Sequence, residues 1–289
     1  MIETNGIKAW LLAARPKTLT GALAPVIVGL SAAWAQRGSL DWRPAILCAL
    51  FALLMQVDAN LLNDYLDFHD GIDKEDRLGP ERACQQGWIT PRAMRIGIGL
   101  VTLVACLTGL PLVWWGGWWM VAIGAACVIG CALYSTLARL ALGDILVVAF
   151  FGIVPVCATY YLQDNSQFII HNAQLWGAAL AMGLVTDCLL LVNNYRDCDT
   201  DLRVGKRTIP NIIGANATLM LYAIIGIVAV CLVFNQTRLP IFYLPLNFFL
   251  VHRLHTIRQG RQLNQVLGQT AMSILLFALL YSVGVVIGF

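Results

Sequence analysis

WRPAILCALFALLMQVDANLLNDYLDFHDGIDKEDRLGP (42–80) opens as an apolar run and closes in a dense set of acids. About 20 mostly apolar residues suffice to cross a bilayer as a helix, and residues 43–62 meet that requirement. The polar residues Asn63, Asp64 and Asp67 follow with no turn-forming residue in between. They therefore continue the spanning helix to its polar end. Ionisable groups carried at membrane depth are costly and usually functional.

Working outward, comparable apolar runs occur at 19–36, 93–113, 116–136, 143–163, 174–194, 216–234, 239–252 and 269–288. With 43–62 they make nine candidate spans. The chain of 289 residues is 59% hydrophobic and only 12% charged. Soluble domains carry about a quarter charged residues, so a water-facing globular surface is excluded. The expected fold is an all-α, polytopic membrane protein forming one domain over 1–289, with no linker or low-complexity run. WWGGWW (114–119) reads as an aromatic belt at one interface. The segment before the first span reads as an amphipathic helix resting on the membrane surface.

Of the 19 Lys and Arg residues, all but Arg37, Arg43 and Arg238 fall on one side when the N-terminus is placed in the cytoplasm. That is a strong positive-inside pattern. The expected location is the cell inner (plasma) membrane, multi-pass, with the N-terminus cytoplasmic. The net charge of +3 then reflects lipid headgroups and an anionic substrate, and gives no reason to expect nucleic acid. Most cysteines lie inside apolar runs, where they act as small hydrophobes. His69, His171, His252 and His255 have neither metal-ligand nor triad spacing.

A second polar cluster, VNNYRDCDTDLRVGKRT (192–208), ends the sixth span as the first ends the second. Aligned, Asn63 falls on Asn193, Asp64 on Asn194, Tyr65 on Tyr195 and Asp67 on Asp197. The match divides the domain into two related halves, with one motif at 63–73 and the other at 193–201. Residues i and i+4 share a helix face, so Asn63 points with Asp67, and Asn193 with Asp197 and Asp201. Oxygen-only donors suit a hard cation. Mg²⁺ binds through one or two carboxylates plus substrate phosphates, so two such faces would grip two Mg²⁺ ions with a diphosphate between them.

Lys74, Arg77 and Arg82 follow the first cluster, and Arg203, Lys206 and Arg207 the second. Beside a metal-bound diphosphate they would neutralise the leaving group. Asp58 and Asp187 lie deeper in the second and sixth spans, about 14–15 Å below Asp67 and Asp197 by helical rise. They are candidate acids on the acceptor side, or buried structural acids. A secondary transporter is the reading from another functional class. Its site would lie near the bilayer midplane on broken helices, whereas these clusters sit at helix ends.

At NDYLDFHDGID and NNYRDCDTD the sequence resembles the UbiA-type intramembrane prenyltransferases, which carry two Asp-rich motifs. ARPKTL (14–19) resembles that family's approach to its first helix. DRLGPERACQQGWIT (76–90), LGDILVVAFFGIVPVCATYYLQ (142–163) and the GKRT ending resemble its 1,4-dihydroxy-2-naphthoate polyprenyltransferase branch. The resemblance covers most of residues 10–210 and is faint in the last three spans.

It implies nine helices around a central cavity that opens toward the cytoplasmic face. An allylic polyprenyl diphosphate would sit there on two Mg²⁺ ions. Loss of diphosphate leaves an allylic cation, which the aromatic acceptor attacks. In the naphthoate branch CO₂ is also lost, giving demethylmenaquinone. Other acceptors of the family are 4-hydroxybenzoate, haem and chlorin rings. The implied catalytic residues are Asp67, Asp197 and Asp201. The implied metal set is Asn63, Asp64, Asp67, Asp73, Asn193, Asp197 and Asp201. Arg15, Lys17, Arg77, Arg82, Tyr134, Arg139, Lys206 and Arg207 would contact the diphosphate. The family's third acid of the first motif falls on Gly71. Asp73 is favoured in its place, with Asp70 the alternative.

Overall fold

The computed structural model describes residues 2–71, 78–164 and 171–289. Its helices are α1 (Ile7–Ala14), α2 (Leu19–Arg37), α3 (Trp42–His69), α4 (Pro91–Gly109), α5 (Val113–Gly116), α6 (Trp119–Ala138) and α7 (Gly143–Val148). They continue with α8 (Val154–Asp164), α9 (Ala173–Arg196), α10 (Cys198–Arg203), α11 (Ile209–Ile213), α12 (Ala215–Val233), α13 (Leu244–Ile257) and α14 (Leu263–Ile287). The described residues form no sheet beyond one isolated bridge between Leu140 and Arg207.

By length and composition, eight helical stretches among the described residues can cross a membrane. The run expected at 239–252 is a 3₁₀ turn, Leu239–Tyr243, leading into α13. It is not among the eight, because α13 has only 14 residues and carries Arg253 and His255 in its last turns. The turn and helix together still extend about 30 Å by their rises per residue. α13 buries Asn247, Leu250 and Leu254, and Leu250 and Leu254 join one core with residues of α12 and α14.

α9 is the axis of the bundle. In its most apolar stretch 72% of residues are buried, against 11% for the span containing α4 and 6% for α6. Those two therefore face lipid, and Ile96, Leu100, Leu103 and Leu107 form an exposed stripe at helical spacing on α4. α7 joins α8 through a π-helical turn, Ala149–Ile153. This turn packs directly on α9: a Cβ on Gly152 would lie 2.5 Å from the Ala179 carbonyl oxygen, so only glycine allows the contact.

The two ends of the bundle differ in chemistry. At one end Trp115 donates to Asp41, Gln163 bonds the Asp41 backbone, and Arg238 bonds the carbonyl of Phe289. The exposed Trp114, Trp118 and Trp119 lie in the turn beside Trp115. The opposite end collects both acid-rich motifs. There α1 exposes Ile7, Leu11 and Leu12 while burying Ala9 and Ala13, the pattern of a helix lying along a membrane surface.

Candidate functional site

α3 carries Asn63, Asp64 and Asp67 to this end and stops at Asp70, its C-cap. Gly71 follows with φ +65°, a left-handed turn that glycine adopts without strain. Asp67 is ion-paired with Arg82, whose side chain is only 6% exposed. Asn63 accepts a 2.7 Å hydrogen bond from Ser135 of α6. Asp64 is engaged by the backbone. Its carboxylate is buried, and its two oxygens accept the backbone N–H groups of Ala83 (2.8 Å) and Cys84 (3.0 Å). It anchors the segment that carries Arg82 back over the motif.

The second motif is not one unbroken helix as expected. α9 ends at Arg196, Asp197 interrupts it (φ −95°, ψ 8°), and α10 follows. The i, i+4 register nevertheless continues, since Asp197 N–H bonds Asn193 C=O at 3.1 Å and Asp201 N–H bonds Asp197 C=O at 2.8 Å. Arg196 is nearly fully buried and donates to Asp197 (2.6 Å), Asn193 (2.9 Å) and Asn264 of α14 (2.7 Å). Lys206 reaches Asp201 at 3.0 Å. Burial pushes the Asp201 carboxyl above the usual carboxylate range, and Lys206 opposes that shift.

Two bridges join the motifs. Asn264 donates to the Leu78 carbonyl at 2.8 Å, tying the chain after the first motif to the Arg196 network. Arg139 pairs with Asp70 of the first motif, while its carbonyl accepts the Arg207 N–H, beyond the second, at 3.0 Å. Arg139, with His69 assisting, holds the Asp70 carboxyl below its usual range. Arg15 and Lys17 stand nearby, because Asn60 of α3 donates to the Ala14 carbonyl and to Thr18, each at 2.9 Å. Asp73, Lys74 and Arg77 lie outside the described residues.

The deeper acids part company. Asp58 accepts from Thr102 of α4 at 2.9 Å. Asp187 instead lies beside Asp144 of α7, the two carboxyl groups within reach of sharing one proton. Tyr134 is within electrostatic reach of Asp67, Asp144 and Asp187, so it links the upper and lower groups. Reasoning from sequence missed Ser135, Asp144, Arg196 and Asn264 as members of this constellation. Arg196 had a usable signal, its place inside NNYRD one turn after Asn193. Asn264 had none, since its partners are remote in the chain.

Among the described residues no three His, Cys, Asp or Glu side chains form a group able to hold a metal. The donors at the mouth are carboxylates and amides on two opposed segments. That chemistry fits Mg²⁺, which takes one or two carboxylates and completes its shell with water and phosphate oxygens.

Four similarities bear on what this constellation belongs to. The chain is 32% identical to the 1,4-dihydroxy-2-naphthoate octaprenyltransferase of Haemophilus influenzae, over 98% of this chain and 97% of that one. It is 32% identical to the Mycobacterium tuberculosis protein of the same name, over 93% and 94%. Its fold matches a UbiA homolog from Archaeoglobus fulgidus, solved bound to GPP and Mg²⁺, with a TM-score of 0.68 at 16% identity, covering 96% of this chain and 99% of that one. The profile of the UbiA prenyltransferase family matches residues 22–283, and the chain belongs to that family.

Proposed function

We propose that the protein transfers a polyprenyl group from an allylic polyprenyl diphosphate to 1,4-dihydroxy-2-naphthoate, releasing diphosphate and CO₂ and yielding the quinol form of demethylmenaquinone. One observation carries the chemical half of this reading: two acid-rich segments from opposite halves of the chain lie at one end of the bundle, with Asp67, Asp197 and Asp201 each beside a basic side chain. The acceptor is carried by the naphthoate-transferring names of relatives matched over nearly their whole length.

Asp67, Asp197 and Asp201, with Asn63 and Asn193, would hold two Mg²⁺ ions. Bound Mg²⁺ would draw charge from the diphosphate as its bond to the allylic carbon breaks. Asp64 lies outside this set, since its oxygens are taken by backbone amides. Arg82, Arg139 and Lys206 are each already oriented by an acid of the mouth. Phosphate oxygens meeting those acids' cations would be stabilised by charge-assisted hydrogen bonds, two at a time for each arginine. Arg15, Lys17 and Arg207 stand at the rim. The apolar interior around α9 keeps water from the allylic cation until the ring carbon attacks.

The test is a reaction of purified protein with geranylgeranyl diphosphate, an acceptor panel, and Mg²⁺ or EDTA, read by mass spectrometry. The expected product is the prenylated naphthoquinol without its carboxyl group, formed only with Mg²⁺. A product that keeps the carboxyl, or turnover confined to 4-hydroxybenzoate, would overturn the assignment of acceptor. Formation in EDTA would overturn the metal.

A further inference from the structure

Asp144 and Asp187 are both more than nine-tenths buried within the spans. A hydrogen bond between two carboxyl groups requires that one of them carry a proton, because an ionised carboxylate only accepts. The Oδ1 of Asp144 and the Oδ1 of Asp187 are both buried and have no hydrogen-bond partner. Buried oxygens without donors are uncommon and call for an explanation. The contact is built into the fold: α7 leads into the π-helical turn, and the glycine contact between Gly152 and Gly183 holds that segment against α9. π-helical turns often mark functional sites.

The place of the pair narrows what can meet those oxygens. Asp187 lies six residues before Asn193 on α9, about 9 Å deeper by helical rise. A cation held by Asn193 and Asp197 at Mg²⁺–oxygen distances of about 2.1 Å cannot also touch it. Diphosphate offers only acceptor oxygens and repels carboxylates. A prenyl tail has no polar atoms. Of the reactants in the proposed reaction, only the hydroxyl groups of the aromatic ring can donate. In a 1,4-dihydroxy-2-naphthoate the C1 hydroxyl sits beside the carboxylate and bonds it internally, so the C4 hydroxyl is the free donor.

The geometry points to the Asp144–Asp187 pair as the seat of the aromatic acceptor, receiving a ring hydroxyl on an unpartnered carboxyl oxygen, one layer below the diphosphate mouth. Tyr134 lies near enough to this pair and to Asp67 to feel the charge of each. The hydroxyl keeps its proton in this contact; the carboxyl oxygen accepts its hydrogen bond and so raises the electron density that the oxygen lends to the ring. This assignment rests on the proposed prenyl transfer to a hydroxylated ring.

The test combines a binding measurement and kinetics. Full-length protein without prenyl diphosphate is titrated with 4-hydroxy-2-naphthoate and with 4-methoxy-2-naphthoate, followed by ligand fluorescence. The hydroxy compound is expected to bind about ten- to a hundredfold more tightly, the range for a hydrogen bond to a charged group. Equal affinities would overturn the proposal without any variant. Asp144→Asn and Asp187→Asn are each expected to raise the acceptor KM by a similar factor and leave the prenyl diphosphate KM within about twofold. Equal rises in both KM values, or a change in melting temperature alone, would make the pair structural. If one variant fails to fold, the double Asn variant, which retains a side-chain hydrogen bond, takes its place. Should the wild-type protein prenylate a different phenol, the acceptor assignment above fails, and the same variants read with that phenol still decide the role of the pair.

Discussion

Arg196 donates a 2.7 Å hydrogen bond to Asn264, which lies 68 positions further along the chain. Asn264 in turn donates to Leu78, so one amide holds the second motif's arginine and the chain beyond the first motif. Asn264→Ala would leave a buried guanidinium N–H and a carbonyl without partners. A loss of about 1–3 kcal/mol in stability is expected, with a higher Mg²⁺ requirement because Arg196 also positions Asp197. Asn264→Asp keeps the acceptor and should recover most of the Mg²⁺ dependence. Melting curves and Mg²⁺ titrations of both variants check this, and wild-type behaviour of the alanine variant would remove the link.

Asp67→Asn and Asp197→Asn should each lower turnover by about 10²–10³, the scale for losing a key electrostatic group. Asparagine is the informative replacement. Its side-chain oxygen still accepts a hydrogen bond from Arg82 while carrying no charge, whereas Asp67→Ala would remove that bond as well and confuse folding with catalysis. Retention of more than about a tenth of the rate by both Asn variants, on that same scale, would disprove the two-motif site.

α3 stops at Asp70, Gly71 adopts a left-handed conformation, and Asp70 is engaged by Arg139. Asp73→Asn should therefore raise the Mg²⁺ concentration for half-maximal rate more than Asp70→Asn does. The reverse order would make Asp70 the third acid. Equal, mild effects would leave the first motif with Asn63 and Asp67 alone.

Asp70 also predicts a pH dependence. Arg139 and His69 lower its carboxyl in the folded protein. Such a group adds stability that is complete above its unfolded value of about 3.9 and disappears as pH falls through the lower folded value. The melting gap between wild type and Asp70→Asn should be widest near neutrality and close below about pH 4. Because both partners are more than a third exposed, the gap should stay within about 1 kcal/mol. A gap that widens in acid would contradict the assignment.

The termini test the course of α13. Asn5 bonds the Trp88 backbone at the motif end, whereas Phe289 bonds Arg238 at the tryptophan end. An odd number of crossings, with α13 as one of them, predicts that a reporter fused after Phe289 signals the side opposite an N-terminal reporter. Two reporters on one side would remove α13 from the count.

Much of this was legible in the sequence because it depends on local rules. The apolar run of α3, the i, i+4 spacing of Asn63 and Asp67, and the turn at Gly71 each follow from residues within one or two turns. The backbone contacts of Asp64 were not legible, because its partners are the amides of Ala83 and Cys84, and any residues there would supply them. Asp144 was passed over because LGD reads as an ordinary helix start; its meaning comes only from the packing of the π-helical turn on α9. The interruption at Asp197 escaped notice because CDTD has neither Gly nor Pro to announce a break.

Arg82 on Asp67, Arg196 on Asp197 and Lys206 on Asp201 leave each acid of the mouth matched by a cation of its own chain. A free divalent ion arriving alone finds its carboxylates engaged, and a bare diphosphate finds its cations engaged. Breaking one pair for either visitor isolates a poorly solvated charge. A chelate that carries both signs avoids this, because each carboxylate passes to the metal as the cation it releases passes to a phosphate. If these acids hold Mg²⁺ as proposed, the resting ion pairs would set an order of arrival, in which the magnesium salt of the prenyl diphosphate, rather than either component by itself, is the species that docks.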